Sequence, residues 1–196
     1  KSNQFQILFI TSLSSLLLLV LFSIIRSENI PAPRSVFIAV LAGICGALGL
    51  AALYKGLSLG NSALVAPVAG VIGAIIPTLV GLILEGLPSF LTLAGFLLTI
   101  VGIWLITRSN EDGDSDAQRG LGFAILAGIG FGGFLALIAQ TKGDQIITPL
   151  VFAKLASLIL AIFLVRLRQL PIPNPSRSPI AVLSGFLDAG GNILYI

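Results

Sequence analysis

No histidine occurs in the 196 residues, and cysteine occurs once, as Cys45. An internal disulfide is thereby excluded, and so is a metal site of the Cys/His type. No cofactor and no metal is expected. Nothing in the chain forms a nucleophile–base pair, so an enzyme is not expected either. Charge is scarce: 10% of residues are charged, against about 25% in a soluble domain. The net charge of +3 is spread over loop ends, which argues against a nucleic-acid partner.

What fills the chain is apolar. Hydrophobic residues make up 56% and mean hydropathy is +1.07, more apolar surface than a soluble interior can hide. Runs of membrane-spanning length, about 17–25 residues, recur at 5–25, 35–54, 61–84, 89–107, 120–140, 146–165 and 178–196. Backbone polar groups in lipid must be satisfied within the segment, so these runs are predicted to be helices. Stretches such as LLLLVLF do not alternate and do not suit a β-barrel. The expected class is an all-α integral membrane protein whose first partner is the lipid bilayer. The run 5–25 lacks the small-residue cleavage pattern of a signal peptide and is read as a retained helix.

The chain repeats itself. Residues 30–43 read IPAPRSVFIAVLAG and residues 172–185 read IPNPSRSPIAVLSG, with eight of fourteen positions identical at an offset of 142. At the same offset FITSLSSLLL (9–18) lies over VFAKLASLIL (151–160), matching Leu13/Leu155, Ser15/Ser157, Leu16/Leu158 and Leu18/Leu160. Arg26 falls on Arg168, Ala47 on Ala189 and Gly49 on Gly191. Leu-rich composition explains the leucines but not a proline loop in register with helices on both sides, so a duplication is expected.

Extending the offset predicts a helix before residue 1 and two after residue 196, which makes seven transmembrane helices of an expected ten, five per half. Five is odd, so the second half would enter the membrane reversed, an inverted-topology repeat with a site near the midplane. The expected division is 1–107 for the first repeat, 108–119 for an acidic linker and 120–196 for the second repeat.

The run NSALVAPV (61–68), then Glu85, then Gly95 and Gly102 in GFLLTIVG, resembles the pattern of EamA-type drug/metabolite transporters. The likeness covers nearly the whole chain in two copies, with Leu84 and Gly86 flanking the acid. It implies ten helices, alternating access, and export or exchange of a small-molecule substrate. It also implies a multi-pass place in a prokaryotic inner membrane, with a homodimer or a larger membrane complex left open.

Other motifs carry less. GIGFGG (128–133) fits a dinucleotide-binding pattern, but no strand precedes it. Helix packing through small residues is expected there, in GICGALG (43–49), and at Gly70 and Gly73. In EDGDSD (111–116) a calcium loop would want Gly at 117 and Glu at 123, where Ala117 and Phe123 stand. Pro67 and Pro77 share one helix and are expected to kink or break it.

Polar groups inside these helices are costly in lipid and point to function. The candidates for substrate binding or coupling are Lys154, Asp188 and Asn192, with Gln140 and Tyr195 behind them. At the offset Lys154 meets Ser12 and Asp188 meets Gly46, so the symmetry breaks at polar positions while the apolar frame stays. Lys154 lies about 12 Å into its helix and Asp188 about 15 Å into the next at 1.5 Å per residue, so the two are expected to face one another at similar depth. Gln140, followed by Thr141 and Lys142, is read mainly as a helix end.

For orientation, Lys1, Lys55, Arg108, Arg119, Arg166, Arg168 and Arg177 share one side, against Arg26, Arg34 and Lys142. That balance places the Lys1 side in the cytoplasm, whereas the family arrangement implies the reverse. The leading functional expectation is a secondary transporter of amino-acid-like or drug-like metabolites; the alternative is a non-transporting, transporter-like structural subunit.

Overall fold

The computed structural model describes residues 3–59, 62–86, 89–108, 115–141 and 145–195. Among the described residues seven α-helices follow one another: α1 (Gln4–Ile25), α2 (Pro33–Leu57), α3 (Ser62–Glu85), α4 (Phe90–Arg108), α5 (Ser115–Ile138), α6 (Ile147–Leu167) and α7 (Pro179–Tyr195). Among the described residues five helices are long and apolar enough to cross a membrane: α1 and α2, α3 over Leu64–Leu84, α5 over Gln118–Ile138, and α6. This is compatible with a multi-pass membrane protein. α5 opens at Ser115, inside the stretch expected to be linker; a serine followed by an acid suits a helix's first turn. The remainder of the acidic run, 111–114, lies outside the described residues.

Two compact units are formed: Lys1–Ala47 with Leu137–Ile196, and Leu48–Ala136. In the second unit Leu64, Val65 and Val68 of α3 pack with Ala124 of α5, flanked by Leu53, Leu57, Ile72 and Leu121. Glycines permit the approach: a Cβ on Gly128 would lie 2.5 Å from Ile72 Cβ, and one on Gly132 would lie 2.6 Å from Ile76 Cβ. GIGFGG is thus a packing surface. Gly70, expected to serve likewise, has nothing within 4 Å of a Cβ and faces away from the packed side. α3 is continuous through Pro67 and Pro77, so neither proline breaks it. Each proline removes one donor only, and the Thr78 hydroxyl donates to the Ala74 carbonyl beside the second (2.9 Å).

In the first unit, local structure follows the 142-residue offset. α1 ends with Ser27 N–H donating to Ile24 O and Glu28 N–H to Ser23 O. α6 ends with Gln169 N–H donating to Arg166 O and Leu170 N–H to Val165 O. Both are Schellman ends, and the left-handed residues they require are Ser27 and Gln169, each at φ 52°. The tertiary contacts exchange between copies too. A Cβ on Gly43 would overlap the Ala153 carbonyl, and one on Gly185 would lie 2.5 Å from Thr11 O; 43 corresponds to 185 and 11 to 153. α1 and α6 lie antiparallel: Gln6 Nε2 donates to Pro171 O past the end of α6 (2.9 Å), and Glu28 past the end of α1 meets the first turn of α6.

The copies diverge where α2 and α7 begin. α2 starts at Pro33, but the matching Pro175 opens a short 3₁₀ turn, Pro175–Arg177, and α7 starts at Pro179. Pro179 stands where Phe37 does and has no N–H to give, so the helix can only restart there.

The Glu28 carboxylate ties the end of α1 to the first turn of α6. α6 has Ile146 at its N-cap and no capping side chain of its own, so its first N–H groups need acceptors. Glu28 supplies them: Oε1 accepts from Ile146 N–H (3.3 Å) and Ile147 N–H (3.2 Å). Oε2 accepts from Ile147 N–H (2.9 Å), Thr148 N–H (2.8 Å) and the Thr148 hydroxyl (2.8 Å). Partial burial opposes ionisation, but the bonds from Thr148, Ile146 and Ile147 outweigh it and hold the carboxyl below the ordinary glutamate value of 4.5. A lowered folded value means the contribution is complete above that ordinary value and is lost as pH falls through the folded one. Glu28→Ala is expected to cost about 1–2 kcal/mol at neutral pH. Glu28→Gln should flatten the fall in melting temperature expected on acidification below pH 4.5; an unchanged acid profile would show that the clamp carries no stability.

Candidate functional site

α1 brings an unusual load of hydroxyls into the first unit. Thr11, Ser12, Ser14 and Ser15 are all buried. Hydroxyls can return their proton to the preceding turn of the same helix: Thr11 Oγ1 donates to the carbonyls of Ile7 and Leu8, and Ser14 Oγ to that of Ile10. Ser15 turns outward instead, and its Oγ donates to Asp188 Oδ2 on α7 (3.0 Å). Its counterpart Ser157 on α6 donates to the carbonyls of Gly43 (2.7 Å) and Ala153 (3.1 Å). Equivalent serines thus serve packing in one copy and a carboxylate in the other.

Asp188 is the centre of the cluster. Lys154 Nζ on α6 reaches Oδ2 at 2.5 Å, and Asn192 Nδ2, one turn along α7, donates to Oδ1 at 3.2 Å. The helix period of 3.6 residues puts Asp188 and Asn192 on one face, and the small Gly185 and Ala189 of that face, both buried, let α7 approach α1. α1 and α7 run in the same direction here, since Thr11 meets Gly185 and Ser15 meets Asp188. The two charged partners differ in access: the Lys154 side chain is 7% exposed and that of Asp188 31%.

Lys154, Asp188 and Asn192 are therefore brought together, and the expected lysine–aspartate pair is present. Tyr195 continues the same face three residues beyond Asn192 as the last residue of α7. Gln140 is exposed in the turn after α5, where its N–H bonds to Leu137 O, consistent with a helix end. Ser15 is the member of the cluster that sequence reasoning did not assign; its signal was identity with Ser157 inside an otherwise leucine-rich match. Glu28 was missed as well, although an N-cap as poor as Ile146 asks for a partner from elsewhere. Among the described residues no three His, Cys, Asp or Glu side chains gather as metal ligands.

Comparisons with protein-family models, with curated proteins and with solved structures return no match for this chain.

Proposed function

We propose that this protein is a secondary transporter that exports or exchanges small metabolites, amino-acid-like or drug-like, by alternating access. The observation that carries the reading is a frame whose contacts exchange between the two copies, 43 with 153 against 185 with 11, around a polar cluster present on one side only. In this reading the antiparallel α1/α6 pair is the centre of an inverted-topology repeat. Five helices belong to each half, and seven of the ten are those seen here, as in EamA-type transporters. Rocking about that pseudo-twofold would open the cluster to either side in turn. A buried ion pair is a weak source of stability for its cost, which favours a functional reason for keeping one. The test is uptake and counterflow in proteoliposomes against a panel of amino acids, amines and organic cations. Saturable flux is expected from the unsubstituted protein, with at least about a tenfold loss in Asp188→Asn, as for intramembrane acids that couple transport. Absence of flux for every compound, or full flux in well-expressed Asp188→Asn, would leave Lys154–Asp188 as a fixed lock between helices in a structural subunit.

A further inference from the structure

The Lys154–Asp188 pair has the build of a binding site filled by part of the protein itself. Its carboxylate does not depend on the lysine for position. Ser15 on α1 holds Oδ2 and Asn192 on α7 holds Oδ1, so Asp188 stays oriented if the α6 lysine withdraws. Lysine brings its charge on a flexible four-carbon stem, as a compact ammonium with three donors. The carboxylate is the more open member of the pair, the Asp188 side chain being 31% exposed and that of Lys154 only 7%. An arriving anion would encounter the carboxylate first and be repelled. An arriving ammonium would meet the group that already holds one.

From this geometry we infer that Asp188, Ser15 and Asn192 form a site for a small primary ammonium, which Lys154 occupies as a tethered cation in the conformation seen here. The class follows from the occupant. A primary ammonium can replace the Nζ–Oδ2 hydrogen bond in kind, whereas a quaternary ammonium has no N–H to give. The site holds one positive charge at a time, so a ligand amine enters as the Lys154 ammonium swings out. At the 142-residue offset the lysine and its acid are absent together. Ser12 stands in the place of Lys154 and is buried, and Gly46 stands in the place of Asp188. Among the described residues Ser12 Oγ is the buried side-chain atom without a hydrogen-bond partner, as expected where the matching acid is missing. The inference rests on the transport reading for its biological use, but not for its test, which measures binding without flux.

The experiment is thermal melting of the full chain in lipid nanodiscs with methylammonium, tetramethylammonium or sodium chloride at matched ionic strength. Lys154→Ser, which copies the residue of the other repeat, should show a saturable rise in melting temperature with methylammonium. Apparent affinity should be weaker by at least about tenfold in the unsubstituted protein, since a tethered group competes at an effective concentration of about millimolar or above. No saturable rise should occur in Lys154→Ser combined with Asp188→Asn. The inference is overturned if Lys154→Ser does not respond, or if the double variant or the unsubstituted protein responds equally. It is overturned likewise if tetramethylammonium or sodium stabilises as well as methylammonium. Should Lys154→Ser fold only with methylammonium present, that rescue supports the site. Failure of both Lys154→Ser and Lys154→Ala to fold with or without it overturns the inference, because the lysine itself would then be indispensable.

Discussion

Gly43→Val and Gly185→Val are each expected to deplete the folded protein, while Gly190→Ala and Gly191→Ala leave it intact. All four glycines are helical, and composition does not separate them. A Cβ on Gly43 would overlap the carbonyl of Ala153, and one on Gly185 would stand 2.5 Å from Thr11 O and 2.8 Å from Ser14 Cβ. These obstacles are mostly backbone, so one helix must move off the other. Overpacking of this kind costs about 1–3 kcal/mol and sometimes more. At Gly43 the displacement also breaks the Ser157 hydroxyl bond to its carbonyl, 2.7 Å long, adding about 1 kcal/mol. Between apolar helices in lipid, close approach is itself the main attraction, so a loss of about 3 kcal/mol is a large share of the about 5–15 kcal/mol that holds a fold together. Gly190 and Gly191 have nothing within 4 Å of a Cβ, and alanine there gains up to about 1 kcal/mol of helix propensity. Melting curves and folded yields in micelles decide it. Valine tolerated at 43 and 185 with unchanged melting would mean that α2 does not rest on α6, nor α7 on α1, in this way.

A double-substitution cycle on the ion pair should be asymmetric. Removing one partner of a buried pair costs about 3–5 kcal/mol, and partial access to Asp188 brings the present case to about 2–3 kcal/mol. Asp188→Ala takes the carboxylate away from the Lys154 ammonium, which is the more deeply buried charge with its side chain 7% exposed. Lys154→Ala strands a carboxylate that still accepts from Ser15 and Asn192 and that water can partly reach. The aspartate substitution is therefore the more damaging, and the double variant is expected to recover about 1–3 kcal/mol relative to additivity. Additive losses, or the reverse order, would show that the two charges do not carry each other's burial.

The helical class and most of the frame were legible in the sequence because they rest on local periods. Seven apolar runs became seven helices, with limits shifted by a few residues at most ends. The largest shift was at α5, where Ser115–Arg119 joined the helix although their polarity read as linker. Arg26 and Arg168, which match at the offset, prove to be the C-caps of two helix ends of the same form, followed by the left-handed Ser27 and Gln169. Lys154 and Asp188 could be paired in advance because a rise per residue gives depth and neighbouring antiparallel helices give proximity.

Rotation about each helix axis is not a local property. Whether Ser15 turns toward α7 or keeps to its own backbone, as Ser14 does, depends on where α7 lies and what it presents. The same applies to the glycines: Gly43, Gly185, Gly128 and Gly132 carry close approaches while Gly70 meets nothing, though all five sit in similar small-residue text. The Glu28 clamp on α6 joins residues about 120 positions apart, and no spacing rule reaches that far. The sequence by itself determined which segments become helices, where they stop and which positions repeat, since these follow from backbone hydrogen bonding and side-chain period within one segment. Tertiary structure decided which face of each helix meets which neighbour. That choice is made by helix packing within a unit, and it turned one of two equivalent serines into a ligand of Asp188.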